Sequence, residues 1–151
     1  MRVLFVCLGN ICRSPAAEAV FRAKAAAARV DAPCDSAGTG GWHVGKKADP
    51  RMVKAARARG YDLSKLRVRQ VDTGDFYVFD LICPMDASNE ADLMELRPPD
   101  ASARVVPFLR YGVGGEVPDP YYGGARGFGT VLDLIEHASD GLVAAIKAGR
   151  A

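Results

Sequence analysis

The sequence predicts an α/β sandwich, in which helices pack against a parallel sheet of about four strands. Short apolar runs alternate along the chain with longer segments of helical periodicity. The first run, residues 3–6, is continuously apolar, as expected of a central strand that is covered on both faces. The length of 151 residues fits one domain, residues 1–151, around a single core. Ligands of such sheets bind beyond the carboxyl ends of the strands, so the loops there are the candidate sites.

The first half of the chain predicts a second strand and two helices. From Pro15 an alanine-rich segment has high helix propensity, and residues 34–37 form a short strand. Asp49 and Pro50 are typical of the N-cap and first position of another helix, which Gly60 ends. We expect the basic outer face of this second helix to be only solvated; it consists of Arg51, Lys54, Arg57 and Arg59.

The second half predicts two more strands, each followed by a helix. Residues 75–84 contain the third strand, beginning near Tyr77, and residues 85–89 cap a helix that continues to about Leu96. Residues 105–109 are the candidate for the last strand. An amphipathic helix closes the chain, and its apolar face consists of Val131, Leu134, Ile135, Ala138, Leu142, Val143 and Ile146.

The loop after the first strand, CLGNICRSP, has the residues that phosphate-monoester chemistry through a covalent thiol intermediate requires. Cys7 is followed six residues later by Arg13, whose planar fork can hold two phosphate oxygens. Curled backbone N–H groups and the N-terminus of the next helix would bind the same oxyanion. An ordinary thiol is only about 3% ionised at neutral pH, but such surroundings favour the thiolate. We therefore expect an anionic Cys7 that attacks phosphorus.

The other positions of this loop suit the same task. Gly9 lets the backbone come close to the phosphate, and Asn10 tolerates a left-handed conformation while its amide pins the loop. Ser14 can donate its hydroxyl hydrogen to the Cys7 thiolate, and Pro15 fits the first helical position. The alternative is a redox or structural cysteine pair, Cys7 and Cys12, in an ordinary turn.

A leaving group also needs a proton, and Asp119 is the best candidate for its donor. Asp119 lies between two prolines that restrict its backbone, and Tyr121 and Tyr122, which follow it, can flank an aromatic substrate. Trp42, on a Gly-rich loop, is more typical of a pocket wall or a contact surface than of a core. The alternative for Asp119 is an Asp-Pro helix cap beside two surface tyrosines.

Composition argues against several classes of partner. Twenty Lys and Arg against 18 acidic residues give a net charge of +2, too small to indicate a nucleic-acid or membrane surface. The short apolar N-terminus is neither a signal peptide nor a membrane span, so we expect a cytoplasmic protein. The four cysteines include no C-x-x-C pair and no histidine at ligand spacing, so we expect no metal and no cofactor. We expect a monomer.

Four motifs, CLGNICRSP, DSAGT, MDASN and DPYYGG, resemble the low-molecular-weight protein tyrosine phosphatases in the same order and over nearly the whole chain. The resemblance implies a three-layer sandwich, a four-stranded parallel sheet with helices on both faces. It implies phosphotyrosine proteins or small aryl phosphates as substrates, with Cys7 as nucleophile, Arg13 as phosphate binder and Asp119 as general acid. The residues it implies for the network that shapes the loop are Asn10, Ser14 and Ser36. Those it implies for the pocket walls are Leu8, Ile11, Trp42, Tyr121 and Tyr122.

Cys12 has two interpretations. It lies five residues from Cys7 in a loop curled around a phosphate, so the two could approach disulfide distance, and the resemblance supports such a protective bridge after oxidation. The alternative is a small apolar residue buried beneath the loop.

Two other functions also fit part of the pattern. An arsenate reductase would need further cysteines near Cys83, and a silent phosphoprotein-binding module would need neither Cys7 nor Asp119.

Overall fold

The computed structural model describes residues 1–121 and 124–151 of the chain. Its strands form one parallel sheet in the order β2-β1-β3-β4, with β1 next to the centre. The strands are β1 at Val3–Cys7, β2 at Cys34–Gly38, β3 at Leu81–Pro84 and β4 at Arg104–Val105. This arrangement confirms the predicted α/β class with a four-stranded parallel sheet.

Helices cover both faces of the sheet. They are α1 at Arg13–Ala27, α2 at Pro50–Arg57, α3 at Asp75–Val78, α4 at Ala87–Leu96 and α5 at Ala125–Lys147, with a 3-10 turn at Phe108–Tyr111. Alternate residues of β1 point to opposite faces, so Phe5 packs in the core cluster that includes residues of α1, α2 and α5. Leu4 packs in the second cluster, which includes Phe76 of α3 and Leu93 of α4. The molecule is therefore a three-layer sandwich.

The predicted third strand begins too early. The segment near Tyr77 is the short helix α3 rather than strand, and β3 starts at Leu81. The physical reason is burial: as a helix, the segment buries Phe76 completely in the second core cluster and leaves Tyr77 and Val78 half-exposed. A short apolar run by itself does not distinguish a buried strand from a buried helix.

The predicted last strand, residues 105–109, is also wrong in its extent. β4 ends at Val105, and the chain then turns into the 3-10 helix after Pro107. Proline has no N–H group to continue the ladder, which explains the early end.

The prediction that Pro15 occupies the first position of its helix is also wrong. The helix α1 begins at Arg13, so Pro15 occupies its third position, where a backbone N–H still needs no helical partner.

The remaining elements agree with the sequence. Asp49 caps α2 by accepting a hydrogen bond from the Arg51 backbone, and Gly60 has a positive φ of 89° just beyond the helix. The apolar line of α5 is buried or half-buried along its length. None of the helices in residues 1–121 and 124–151 has the length and apolar content needed to cross a bilayer.

Candidate active site

The loop between β1 and α1 lies at the carboxyl end of the sheet. Cys7 is the last residue of β1 and Arg13 is the first residue of α1, so the loop contains only the residues between them. A hydrogen bond from the residue just after β2 holds the start of the loop: Thr39 N donates to the Cys7 carbonyl at 2.9 Å. A Cβ atom on Gly38 would lie 2.8 Å from the Leu8 carbonyl oxygen. The close approach of β2 to the loop therefore requires glycine there.

Asn10 holds the loop in shape from inside. It is buried, and its φ of 56° is in the left-handed region that asparagine tolerates. Its side-chain amide donates to the Ser14 hydroxyl at 2.8 Å and to the Ser36 hydroxyl at 3.1 Å. Its side-chain oxygen accepts from the Arg69 backbone N–H at 3.1 Å. Asn10 thereby joins the loop to α1, to β2 and to the segment after α2.

These bonds direct the Ser14 hydroxyl toward the Cys7 sulfur. Because Ser14 Oγ accepts from Asn10, its own hydrogen remains for the Cys7 Sγ at 3.0 Å or the Ala37 carbonyl at 3.4 Å. The shorter contact is to sulfur. Ser36 accepts from Asn10 in turn and donates to a Glu18 carboxylate oxygen at 2.7 Å. The network thus begins at a buried carboxylate and ends at the cysteine sulfur.

Arg13 is buried beside Cys7, with 3% of its side chain exposed. Its Nη1 donates to Asp86 Oδ2 at 2.7 Å and to the Val117 carbonyl at 2.9 Å. Its Nη2 lies 3.5 Å from Asp119 Oδ2. The two acceptors fix the plane of the guanidinium through Nη1, so the opposite edge, Nε and Nη2, is the one that can hold two oxygens of a ligand.

A cavity of about 280 Å³ brings most of the predicted residues together. It is lined by Cys7, Leu8, Gly9, Ile11, Cys12, Arg13, Trp42, His43, Asp119 and Tyr121. Three predicted residues, Asn10, Ser14 and Ser36, lie outside this lining and form the buried network described above. Tyr122 lies outside the described residues. His43 was not predicted; a Cβ on Gly9 would lie 3.3 Å from its ring, so glycine gives this ring its room.

The side chains at the rim of the cavity are exposed. Trp42 is 69% exposed and Tyr121 is 37% exposed, which places both away from the core. The carboxyl group of Asp119 is 41% exposed, and its Oδ1 accepts from the Tyr121 backbone N–H at 3.0 Å. This contact of Asp119 is made within its own loop, and the alternative of a helix cap is wrong because α5 begins after Gly124.

Arg51 ties the Asp119 loop to the cysteine loop. Its Nη2 donates to the Tyr121 carbonyl at 2.9 Å, and its guanidinium lies 5.4 Å from the Tyr121 ring centre. It also pairs with Asp49 at 2.8 Å, and the Asp49 backbone N–H donates to the Ile11 carbonyl at 2.8 Å. The hydrogen bonds from Arg51 hold the pKa of the Asp49 carboxyl below its usual value.

Sequence reasoning missed several of these contacts. Asp86 was predicted as part of a helix cap, and it does cap α4 through Oδ1, which accepts from Asn89 N at 2.8 Å. Its other oxygen binds Arg13, a second role with no local signal. The predicted basic face of the second helix is not only solvated, since Arg51 on α2 and Arg59 just beyond its end both form ion pairs.

Cys12 lies in the cavity wall and also packs in the main core cluster. Burial, then the nearby Asp49 carboxylate, raise the pKa of the Cys12 thiol well above its usual range. The structure has Cys7 and Cys12 as free thiols, and the bridge between them stays a prediction. Among the described residues, no group of three or more His, Cys, Asp or Glu side chains could hold a metal ion.

Known proteins resemble this chain over almost its full length. The family model for the low molecular weight phosphotyrosine protein phosphatase matches residues 2–151. A low molecular weight protein-tyrosine-phosphatase from Streptomyces coelicolor is 46% identical over 154 residues, covering 97% of this chain and 93% of the relative. One from Schizosaccharomyces pombe is 47% identical over 135 residues, covering 85% and 86%. The crystal structure of a protein tyrosine phosphatase from Entamoeba histolytica, 40% identical, superposes with a TM-score of 0.95 and covers 100% of this chain and 99% of that chain.

Proposed function

The chain belongs to the low molecular weight phosphotyrosine protein phosphatase family, and we propose that it hydrolyses phosphotyrosine and other aryl phosphate monoesters through a cysteinyl-phosphate on Cys7. One observation carries this mechanism. Cys7, Arg13 and Asp119 line a single cavity of about 280 Å³, although Asp119 is distant from the other two in sequence. The monomeric state and the cytoplasmic location stay predictions.

In the first step, the Cys7 thiolate attacks phosphorus in line with the ester oxygen. The N-terminus of α1 and the hydrogen bond from Ser14 stabilise the thiolate before attack. The Nε and Nη2 edge of Arg13 binds two of the non-bridging oxygens and stabilises their charge in the transition state. Loop N–H groups and the helix end bind the same phosphoryl group.

Asp119 supplies the proton for the leaving group. Its side chain is 41% exposed and lines the same cavity, with Oδ2 3.5 Å from Arg13 Nη2, so the carboxyl group can reach the ester oxygen of a substrate bound there. After the phenol has left, the same group, now ionised, takes a proton from the water that attacks the phosphocysteine. The water displaces the Cys7 sulfur, which leaves as thiolate, and inorganic phosphate is released.

The exposed aromatic side chains at the rim favour flat aromatic substrates. Trp42 and Tyr121 lie on the cavity wall, and Leu8 and Ile11 add apolar surface from the loop. Contact between aromatic rings is worth about 1 kcal/mol per pair beyond the burial of area. We therefore expect aryl phosphates to be better substrates than alkyl phosphates.

Oxidation of the nucleophile offers a means of regulation. Peroxide that enters the cavity converts the Cys7 thiolate into a sulfenic acid, and the Cys12 thiol can condense with it to a disulfide with loss of water. Such a bridge would protect Cys7 from irreversible oxidation. Because the raised pKa of Cys12 keeps it protonated, we expect the bridge to form slowly near neutral pH.

Turnover of p-nitrophenyl phosphate tests the proposal. Cys7→Ser removes the nucleophile and Arg13→Ala removes the oxygen clamp, so each variant should lose all measurable activity. Cys34→Ser is the matched control, because Cys34 is half-buried at the start of β2 and outside the cavity. Mass spectrometry of the acid-quenched wild type should show one phosphoryl group on the peptide containing Cys7. Activity in folded Cys7→Ser would refute the mechanism.

A further inference from the structure

A second groove adjoins the catalytic cavity. It has a volume of about 460 Å³ and shares Leu8 and Trp42 with the cavity. The Trp42 ring lies directly against the loop backbone: a Cβ on Gly40 would lie 1.9 Å from the ring carbon Cζ3. The indole of Trp42 therefore needs glycine at position 40. The same indole is a wall common to the cavity and the groove.

The groove combines apolar surface with negative charge. Leu8, Val71 and Leu96 contribute the apolar surface. Asp92 and Glu95 contribute two exposed carboxylates, three residues apart on one side of α4. Neither carboxylate has an ion-pair partner among residues 1–121 and 124–151. Two unpaired carboxylates beside apolar surface are complementary to a long basic side chain, which lays its methylene stem on apolar atoms and its charge in water.

We propose that this groove binds the part of a substrate protein next to its phosphotyrosine and selects a lysine or arginine there. The inference rests on the proposed function, which places the phosphotyrosine ring in the catalytic cavity. The polypeptide on either side of that ring must then cross the rim, and Leu8 and Trp42 continue the rim into the groove. A basic side chain that enters the groove meets Asp92 and Glu95.

The two carboxylates of the groove disfavour an acidic residue next to the phosphotyrosine. An acidic residue in the groove would face both carboxylates without a compensating cation from the groove lining, which contains no lysine, arginine or histidine. The carboxylates of Asp92 and Glu95, which line the groove and not the catalytic cavity, thus determine specificity for proteins and have no part in the hydrolysis of small esters. It selects among phosphotyrosine sites by their neighbours.

Phosphotyrosine peptides test this directly. In each peptide one position is varied, and that position lies between three residues before the phosphotyrosine and three residues after it. At each such position the set contains a lysine, an alanine and a glutamate peptide. For at least one position we expect kcat/KM to be about two- to five-fold higher with lysine than with alanine, and lower again with glutamate. The preference should weaken at about 1 M salt, because the carboxylates are exposed.

Variants assign the preference to the groove. In the double variant Asp92→Asn and Glu95→Gln, the ratio of kcat/KM for lysine over alanine peptides should fall to about one. The double variant Asp92→Asn and Glu95→Lys, whose groove carries only a positive charge, should favour glutamate instead. Glu90→Gln is the matched control, since Glu90 belongs to α4 but does not line the groove. All variants should hydrolyse p-nitrophenyl phosphate at the wild-type rate, which verifies their folding.

The outcomes separate this inference from the proposed function. A wild type that hydrolyses p-nitrophenyl phosphate but shows no preference for lysine at any position overturns the groove alone. A lysine preference that persists in the double variant also overturns it, because the selecting charge would then lie elsewhere. A wild type without phosphatase activity would instead overturn the proposed function.

Discussion

Replacing Asn10 should destabilise the whole molecule through two separable effects. The side chain makes three hydrogen bonds: two buried ones to the hydroxyl groups of Ser14 and Ser36, and a partly buried one from the Arg69 backbone. At about 0.5 to 1.5 kcal/mol each, their loss should cost about 2 to 4 kcal/mol. The backbone also has a φ of 56°, which alanine adopts only with about 1 kcal/mol of strain.

Two variants separate these effects. Asn10→Gly loses the hydrogen bonds but keeps the freedom to adopt a positive φ, so the free energy of unfolding should fall by about 2 to 4 kcal/mol. Asn10→Ala should lose about 1 kcal/mol more. A domain of this size is stable by about 5 to 15 kcal/mol, so both variants should remain folded without denaturant.

Urea denaturation, followed by the fluorescence of the single tryptophan, gives the three unfolding free energies. The reasoning about strain would be refuted by equal stability of the alanine and glycine variants. A loss below about 1 kcal/mol in both would refute the structural role of the hydrogen bonds. In either variant we also expect kcat to fall, because Ser14 is no longer oriented toward the Cys7 sulfur.

Four further predictions concern the site. Asp119→Ala should slow phenyl phosphate by about 10² to 10⁴ but p-nitrophenyl phosphate much less, since p-nitrophenol leaves with less protonation; equal losses would indicate a structural role. Trp42→Ala should lower the ratio of aryl to alkyl phosphate turnover, and an unchanged ratio would assign Trp42 to a partner surface. After peroxide treatment, thiol reductant should restore the wild type but restore Cys12→Ser poorly, and mass spectrometry should find a link between Cys7 and Cys12; equal recovery without that link would exclude the bridge. The pKa of Asp49 is lowered in the folded state, so its contribution to stability is complete above about pH 4 and disappears as the pH falls through the folded value. The stability difference between wild type and Asp49→Asn in urea should therefore shrink below about pH 4, and a constant difference would contradict the ion pair with Arg51.

Local chemistry explains what the sequence alone determined. Cys7 and Arg13 are six residues apart in one loop between a strand and a helix, so their proximity follows from chain connectivity. Asp49 and Asp86 cap helices through bonds to backbone groups two and three residues away. The alternating apolar runs and helical segments were sufficient to predict the class of fold and the order of its main elements.

Tertiary packing determines the features that the sequence did not predict. The helix at Asp75–Val78 and the short β4 depend on which core buries Phe76 and where Pro107 interrupts the ladder, and neither is visible in an apolar run. The pairing of Asp86 with Arg13 joins residues 73 positions apart. Such contacts form only because parallel strands bring their carboxyl ends to one edge, and the order of the strands at that edge is set by the packing of the whole sheet.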